Sequence, residues 1–461
     1  MKRIILAAVA AMMIGVPSLF SQQLSVNKSA ILKKIERSDQ DIANAKKAVK
    51  AATWITRGDA MYEAATAISS QLSSGMDPVM FKLTFGTPLN EESVTVAGTR
   101  YIKMYFPYME AYAEPAARQL VTWKVTEVIY PDALAKAAEA YEKAYELEPS
   151  GKNAEKVQTG LSKVFTEYYN LGTLAYSLRE YNEAAADFDK AFHVAELKGV
   201  DVGQGQYSAI MRDAGLAYYF ANEFQKSVDY FNGAIENNFD SLNDGDGQIY
   251  YFLYHAYKGL ATAHPVDSAE YKEYMETGKN VLETGISKFP MNTDIIESLT
   301  DAYVTMGEDP NAILPIVQDA VDRDPNNAAL WSGLGVIYDR LGMSDESMKM
   351  FEKVAELTPN DFNAFNNLGI LYINKADRML DEFNKNSGAY TTAEYDEQLN
   401  KINDVYQQSI TPLEKAYSLN PNNTTTLELL KAVTFRLRAR EGMQEKNTKY
   451  DAEYKKLTGQ Q

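Results

Sequence analysis

The sequence predicts an all-α solenoid of stacked helix pairs, with a small antiparallel β insertion inside its first repeat. Three observations predict it. Units of about 34 residues, some lengthened by insertions, recur along the chain, each with apolar residues at helical spacing and most with a closing proline. Almost everything after residue 130 carries the 3.6-residue apolar period of amphipathic helices. One stretch departs from this, RYIKMYFPYMEAYAEPAARQLVTWKVTEVIY from Arg100 to Tyr130, where Tyr, Val, Ile and Trp dominate and Pro interrupts. That is strand and turn composition.

The clearest repeat is LWSGLGVIYDRLGMSDESMKMFEKVAELTPND, with Trp331, Leu334, Gly335 and Tyr338 followed by Ser347, Phe351, Val354 and Pro359. Two antiparallel helices that share one apolar seam need small residues where they touch, here Gly335 and Ser347. Leu334, Tyr338 and Phe351 fill the seam at helical spacing. Pro359 ends the second helix. No such pair buries its own apolar face, so neighbours must stack. This unit resembles the tetratricopeptide repeat, whose pattern is W-x2-L-G-x2-Y, then a small residue, F and P. The resemblance implies a right-handed α-solenoid whose first helices line a concave face.

Further copies carry Leu171, Gly172, Ala184, Phe188 and Ala191, then Gly215, Tyr218, Ser227, Phe231 and Ala234. Leu253 and Tyr257 open another, which Gly278, Leu282, Gly285 and Pro290 close. Leu299, Tyr303, Ala312 and Pro325 make the next. Leu368, Gly369 and Tyr372 begin the last, and Ala416 and Pro421 complete it. From Pro325 to Pro359 is 34 residues, but from Pro359 to Pro421 is 62, so that copy holds 28 extra residues. Another 17 lie near HPVDSAEYKEY. The first repeat reads as Trp54 and Gly58 on one helix and Ala137, Tyr141 and Ala144 on the other, with 67 residues inserted between them.

The expected organisation is therefore a signal peptide at 1–21, an N-terminal capping helix at 22–50 with a break near Asp39, and an interrupted first repeat at 51–150 with its β-containing insertion at about 71–130. A tandem array follows at 151–425, with insertions near 258–275 and 376–404, and capping helices at 426–461. VTVAGTRYI reads as a hairpin turning at Ala97-Gly98, and MYFPYMEAY and QLVTWKVTEV pair across AEPAAR. The small sheet is expected to dock on the first helical pair. Its open edge is a second candidate interface.

MKRIILAAVAAMMIGVPSLFSQQ joins a charged start, Lys2 and Arg3, to an apolar run and a small residue, Ser21. That is the order of a secretory leader, and its removal takes the net charge from −17 to −19. No cysteine is present, which excludes disulfides, thiolate chemistry and a lipid-modified N-terminal cysteine anchor. No later segment is apolar enough to span a membrane. The acidic balance opposes nucleic acid bound through phosphates. The arrangement with DIANAKKAVKAATWITRG ahead of an interrupted first repeat is similar to secreted tetratricopeptide proteins of Bacteroidetes-type bacteria. The similarity implies a periplasmic or outer-membrane-associated location in a Gram-negative cell.

Catalytic and cofactor groupings are not found. His193, His255 and His264 fall in different repeats without metal-ligand spacing. DSLNDGDGQ from Asp240 places Leu242 where a calcium ligand is needed, and reads as a solvated loop. Asp240-Ser-Leu and Asp267-Ser-Ala match a short O-glycosylation tripeptide that chance alone supplies about once or twice in such a chain. The remaining candidate is a protein- or peptide-binding surface on the first helices: Tyr169, Thr173 and Tyr176, then Arg212 and Tyr219, then Tyr251 and His255, then Asp294, Glu297 and Asp301. Aromatic rings with one polar end suit such recognition. The same tyrosines, among 31 in the chain, also suit packing between repeats. The family's peptide-carboxylate clamp is absent, because Ser332, Val336, Asn363, Asn366 and Ile370 stand on the matching faces. A non-catalytic scaffold is the expected function, and a glycan- or nutrient-binding component of an envelope uptake system is the alternative.

Overall fold

A computed structural model describes residues 26–239, 245, 247–290, 292–386, 388 and 390–458. The expected leader and most of the Asp240 loop lie outside the described residues. The chain forms two compact units, Met1–Glu223 and Phe224–Gln461.

In the first unit, α1 (Lys28–Ala43), α2 (Ala45–Ala48) and α3 (Ala51–Thr66) are followed by α4 (Pro78–Phe85) and four strands, β1 (Asn90–Val96), β2 (Thr99–Tyr105), β3 (Met109–Ala113) and β4 (Leu120–Val125). Then come α5 (Ala133–Leu147), α6 (Ala154–Ser177), α7 (Tyr181–Ala195) and α8 (Gln204–Phe220). The N-terminal helix breaks at Asn44 rather than near Asp39. Asn44 is extended (ψ 112°) and its side chain caps Lys46. Asp39 instead receives the Arg57 guanidinium.

Helix α3 packs on α5 across the insertion, and α6 packs on α7. A Cβ at Gly58 would stand 2.7 Å from the Tyr141 ring, and one at Gly172 would stand 2.6 Å from Phe188. Gly172 and Phe188 are 16 residues apart. Gly58 and Tyr141 are 83 apart, which is the same step lengthened by the 67 inserted residues. The seam therefore keeps one register through the interruption. Trp54 donates its indole N–H to the Ala48 carbonyl at 2.8 Å, so it pins the corner before its own helix.

The insertion is a four-stranded antiparallel meander in the order β1-β2-β3-β4. Val96 pairs with Thr99 across Ala97 (φ 49°) and Gly98 (φ 82°), the paired positive φ values of a type I′ hairpin. Helix α4 is not foreshadowed in the sequence reading. Asp77 caps it, Pro78 occupies its first turn, and Phe81 and Phe85 bury their rings against Phe106.

The register sorts the sheet into two faces. Ile102, Met104, Ala111 and Trp123 share one. Tyr101, Lys103, Tyr105, Glu110, Tyr112, Thr122 and Lys124 share the other. The second face turns toward α6 and α7: Ser177 donates to Thr122 Oγ1 at 3.1 Å, and Lys124 reaches Glu180 at 2.8 Å and Glu183 at 2.9 Å. Docking is thus mainly on the second helical pair, where β4 packs on α6, and not on the first pair as expected. The reason is polar complementarity between β4 and the α6–α7 corner.

In the second unit, α9 (Phe224–Glu236), α10 (Gln248–Ala261), α11 (Ala269–Lys288), α12 (Thr293–Met306), a 3-10 turn at Pro310–Ile313 and α13 (Leu314–Arg323) precede α14 (Ala328–Arg340) and α15 (Ser344–Leu357). The unit ends with α16 (Phe362–Asn386), α17 (Thr392–Leu419), α18 (Thr424–Arg436) and α19 (Met443–Thr458). Phe351 fills the Gly335 notch, 2.5 Å from where a Cβ would stand, and Ser347 Oγ donates to the Gly335 carbonyl at 2.8 Å. Trp331 donates to the Pro325 carbonyl at 2.9 Å, as Trp54 does to its own corner. Tyr338 is only half-buried, and Ile337 holds the fully buried place beside it. Gly369 meets Leu413 across 44 residues, the step of 16 lengthened by 28. Most of those extra residues lengthen α16 and α17, to 25 and 28 residues. A capping box between Thr391 and Glu394 starts α17. Between α10 and α11 the roles reverse, with Tyr250 and Tyr254 on the first helix lying against Gly285 and Gly278 on the second. Gly215 and Phe231 are both buried, each in its own unit.

Candidate functional site

In the first unit the candidate surface runs over α6 and α8. Tyr169 is half-buried, stacked near Phe165 (6.3 Å) and tilted on Phe188 (5.6 Å). Its hydroxyl donates to Asp213 Oδ2 at 2.7 Å, and Arg212 Nε lies 2.9 Å from Asp213 Oδ1. Burial pushes the Asp213 carboxyl up, against the opposing pull of Arg212 and Tyr169. Burial, then Asp213, pushes the Tyr169 phenol up as well. Tyr169 and Arg212 are thereby tied into a bridge between α6 and α8, which is a packing role. Thr173 is exposed, and its hydroxyl donates back to the Tyr169 carbonyl at 3.0 Å.

Tyr176 belongs to a different grouping. It meets Tyr181 edge-on at 5.4 Å and Phe220 at 6.1 Å, while Tyr181 stacks on Phe220 at 5.0 Å. Tyr219 meets Phe220 edge-on at 5.1 Å. Burial pushes the Tyr176 phenol up to about 12. Arg179 lies over Tyr181, 6.0 Å from the ring centre, and donates to the Tyr181 hydroxyl at 2.6 Å. Sequence spacing does not single out Tyr181, Arg179 or Phe220. The one signal for the first two is the run SLREY at the corner between two helices.

The tyrosine face of the sheet borders this group. Lys103 pairs with Glu110 at 2.9 Å and lies over the Tyr105 and Tyr112 rings at 4.8 and 5.6 Å. Tyr101 meets Tyr112 edge-on at 6.3 Å. The open outer edge is β1, where Glu91 takes Arg118 and Glu92 takes the Tyr105 hydroxyl. Charged residues on an edge strand discourage strand addition.

In the second unit, Tyr251 meets His255 edge-on at 4.4 Å. Burial, helped by Lys258, lowers His255 to about 4, so its ring is neutral near pH 7. Asp294, Glu297 and Asp301 lie on one face of α12. Asp294 accepts from Gln248 at 2.7 Å and Asp301 pairs with Arg340 at 2.9 Å. Burial pushes Glu297 up, and Asp294 and Asp301 add to this. Among the described residues no cluster of three or more His, Asp or Glu is placed to hold a metal ion, and no helix is long and apolar enough to cross a membrane.

The tetratricopeptide repeat family profile matches residues 168–195 and 328–361. These are the α6–α7 and α14–α15 pairs. No curated protein sequence matches the chain significantly. Among solved structures, the chain is similar to TTC0263, a tetratricopeptide protein of Thermus thermophilus, at 17% identity over 45% of this chain and 99% of that one, with a TM-score of 0.31. It is similar to YrrB, described as a tetratricopeptide protein with an unusual peptide-binding site, at 19% identity over 63% of this chain and 97% of that one, with a TM-score of 0.27. It is also similar to human IFIT1 with m7Gppp-AAAA, at 14% identity and a TM-score of 0.33, covering 71% of this chain and 64% of that one. The chain thus spans about two thirds of the length of IFIT1. With the seam glycines, the ring-filled notches and the profile matches at two helix pairs, this chain is built on tetratricopeptide repeats.

Proposed function

We propose that the protein is an exported, non-catalytic scaffold that binds a protein or peptide segment on the first-helix face of its repeats, within the envelope of a Gram-negative bacterium. Tetratricopeptide repeats are protein-interaction modules, and stacked first helices present a continuous surface. The observation that carries the reading is that two tyrosine-bearing surfaces of the first unit face one corner, which β4 ties to the helices. Tyr176, Tyr181 and Tyr219 stand on the helices, and Tyr101 and Tyr105 stand on the sheet face that β4 holds against the same corner. Rigid rings with polar ends supply contact area at low entropic cost. The apolar, cationic leader sequence supports export, and the absence of cysteine removes a thioether-linked lipid anchor.

The test is photo-crosslinking in the native envelope. A photoreactive residue replaces Thr173, exposed on the first-helix face, or Lys190, exposed toward the far end of α7. Discrete protein adducts from position 173 and not from 190 are the expected result. Adducts to glycan alone favour the uptake-component reading, and equal labelling at both positions overturns the assigned face.

A further inference from the structure

Four corners between consecutive helices are built alike, with an amide that bonds back to the carbonyl five residues earlier: Glu180 to Ala175, Glu223 to Tyr218, Glu308 to Tyr303 and Met343 to Tyr338. This is the closure of a Schellman motif, which needs a left-handed residue just before the bonding amide. That residue is Gly307 (φ 74°), Gly342 (φ 73°) and Asn222 (φ 62°) at three corners. These are the residue types that the conformation favours. At the fourth corner it is Arg179 (φ 63°). A long cationic side chain stands where glycine would be easier, and strain of this kind points to a use for the side chain.

The surroundings indicate that use. Arg179 is exposed in a chain of net charge −17, yet no carboxylate among the described residues pairs with it. Its nearest acidic neighbours in sequence, Glu180 and Glu183, are both held by Lys124 of the sheet. Its guanidinium donates to the Tyr181 hydroxyl, at 2.6 Å, so the ring orients the guanidinium without neutralising it. Tyr101 on β2 stands on the same sheet face as Lys124. The insertion therefore engages the carboxylates that neighbour the cation in sequence and turns a tyrosine-bearing face toward the same corner.

We propose that Arg179 receives the side-chain carboxylate of an Asp or Glu in an extended peptide segment, which lies between the sheet face at Tyr101 and the α6–α7 corner at Tyr181. This rests on the protein- or peptide-binding reading above and adds the chemistry of one subsite. A guanidinium oriented on a ring accepts a carboxylate through two parallel N–H···O bonds, which an ammonium cannot reproduce.

The experiment uses the purified protein and an array of random peptides of about 12 residues, scored for enrichment of each residue type. The native protein is expected to enrich Asp and Glu at one position, and Asn and Gln at that position should bind about tenfold more weakly. Arg179→Gly should abolish the enrichment while unfolding at the same or a slightly higher temperature, since glycine suits the corner. Lys124→Gln leaves Arg179 in place but releases Glu180 and Glu183 toward it, and should reduce the enrichment as well. Retained acidic preference in Arg179→Gly overturns the proposal. So does peptide capture by the native protein with no acidic preference, or preference confined to the peptide C-terminus. All three of these leave peptide binding itself standing. Failure to capture any peptide overturns the subsite and the peptide reading together.

Discussion

The Tyr141 ring stands against Gly58 so closely that a Cβ there would lie 2.7 Å from it, and a Cβ built at Gly160 on the next first helix would stand closer still to the same ring. One fully buried tyrosine thus joins two successive repeats. Its hydroxyl leaves the seam to reach Asp59 at 2.7 Å.

Gly160→Leu should therefore be more damaging than a helix propensity scale suggests, since leucine favours helices over glycine. Overpacking against a ring that has no room to move costs about 1–3 kcal/mol. The expected result is a lowered urea midpoint for the first unit. An unchanged midpoint would show that Tyr141 can swing out of the seam. Gly335→Leu makes the same test in the second unit, where Phe351 fills the notch.

Lys124 gives a weaker and pH-dependent effect. Its two glutamates are partly exposed, so each ion pair contributes only about 0.2–1 kcal/mol. Glu183 is held below its ordinary value of 4.5, first by the hydrogen bond from Lys124 and then by its charge. A depressed carboxyl contributes stability that is present above the unfolded value and lost as pH falls through the folded one. The stability gap between the native protein and Lys124→Gln should accordingly be full near pH 7 and close as pH falls below about 4.5. Thermal unfolding of both proteins from about pH 7 to about pH 3 measures it, and a gap that widens on acidification would contradict the assignment.

The seams and the hairpin are legible in the sequence because they rest on local chemistry. A glycine meeting a ring at a fixed step survives an insertion of any length, and Ala97-Gly98 between alternating residues signals a tight turn by itself. What is not legible depends on contacts between distant segments. Nothing in QLVTWKV shows that Lys124 will find Glu180, 56 residues away. Helix α4 escapes the reading because its 8 residues are too few for a periodic pattern. The 28 extra residues near 376–404 read as an insertion, with no sign that they lengthen two helices. Of the candidate surface, sequence spacing names residues that fall on α6, α8, α10 and α12. It does not separate Tyr169, whose hydroxyl is spent on Asp213, from Tyr176, whose ring lies in the corner cluster.

His255 provides a pH effect of the same direction, but at higher pH and from burial, in the second unit. Its folded value of about 4 lies below the ordinary 6.5, chiefly because the ring is buried. Between these values the unfolded chain binds the proton more tightly, so stability falls as pH drops from about 6.5 to about 4 and levels off below. For a half-buried ring the loss is on the order of 1–2 kcal/mol. His255→Gln should flatten this part of the pH profile. An imidazole NMR titration with a midpoint near 6.5 would show that the ring is better hydrated than its contacts with Tyr251 and Tyr254 imply.

Removing the insertion tests what the sheet does for the repeats. Replacing Gly75–Glu127 with a short Gly/Ser linker deletes α4 and all four strands but leaves α3, α5 and the Tyr141 seam intact. Because that seam keeps its register across the interruption, the α3–α5 pair should still close, and the first unit should fold with a higher helical signal per residue. The loss should appear at the corner where β4 docks. Amides of residues 174–183 should exchange faster with solvent, since Ser177 loses Thr122 and the start of α7 loses Lys124. Glu180 and Glu183, once released, become available to Arg179, so the shortened protein should also show a less accessible guanidinium toward dicarbonyl labelling. Unfolding of the whole first unit would make the sheet part of its core. Unchanged exchange at 174–183 would mean that the sheet is not held at that corner in solution.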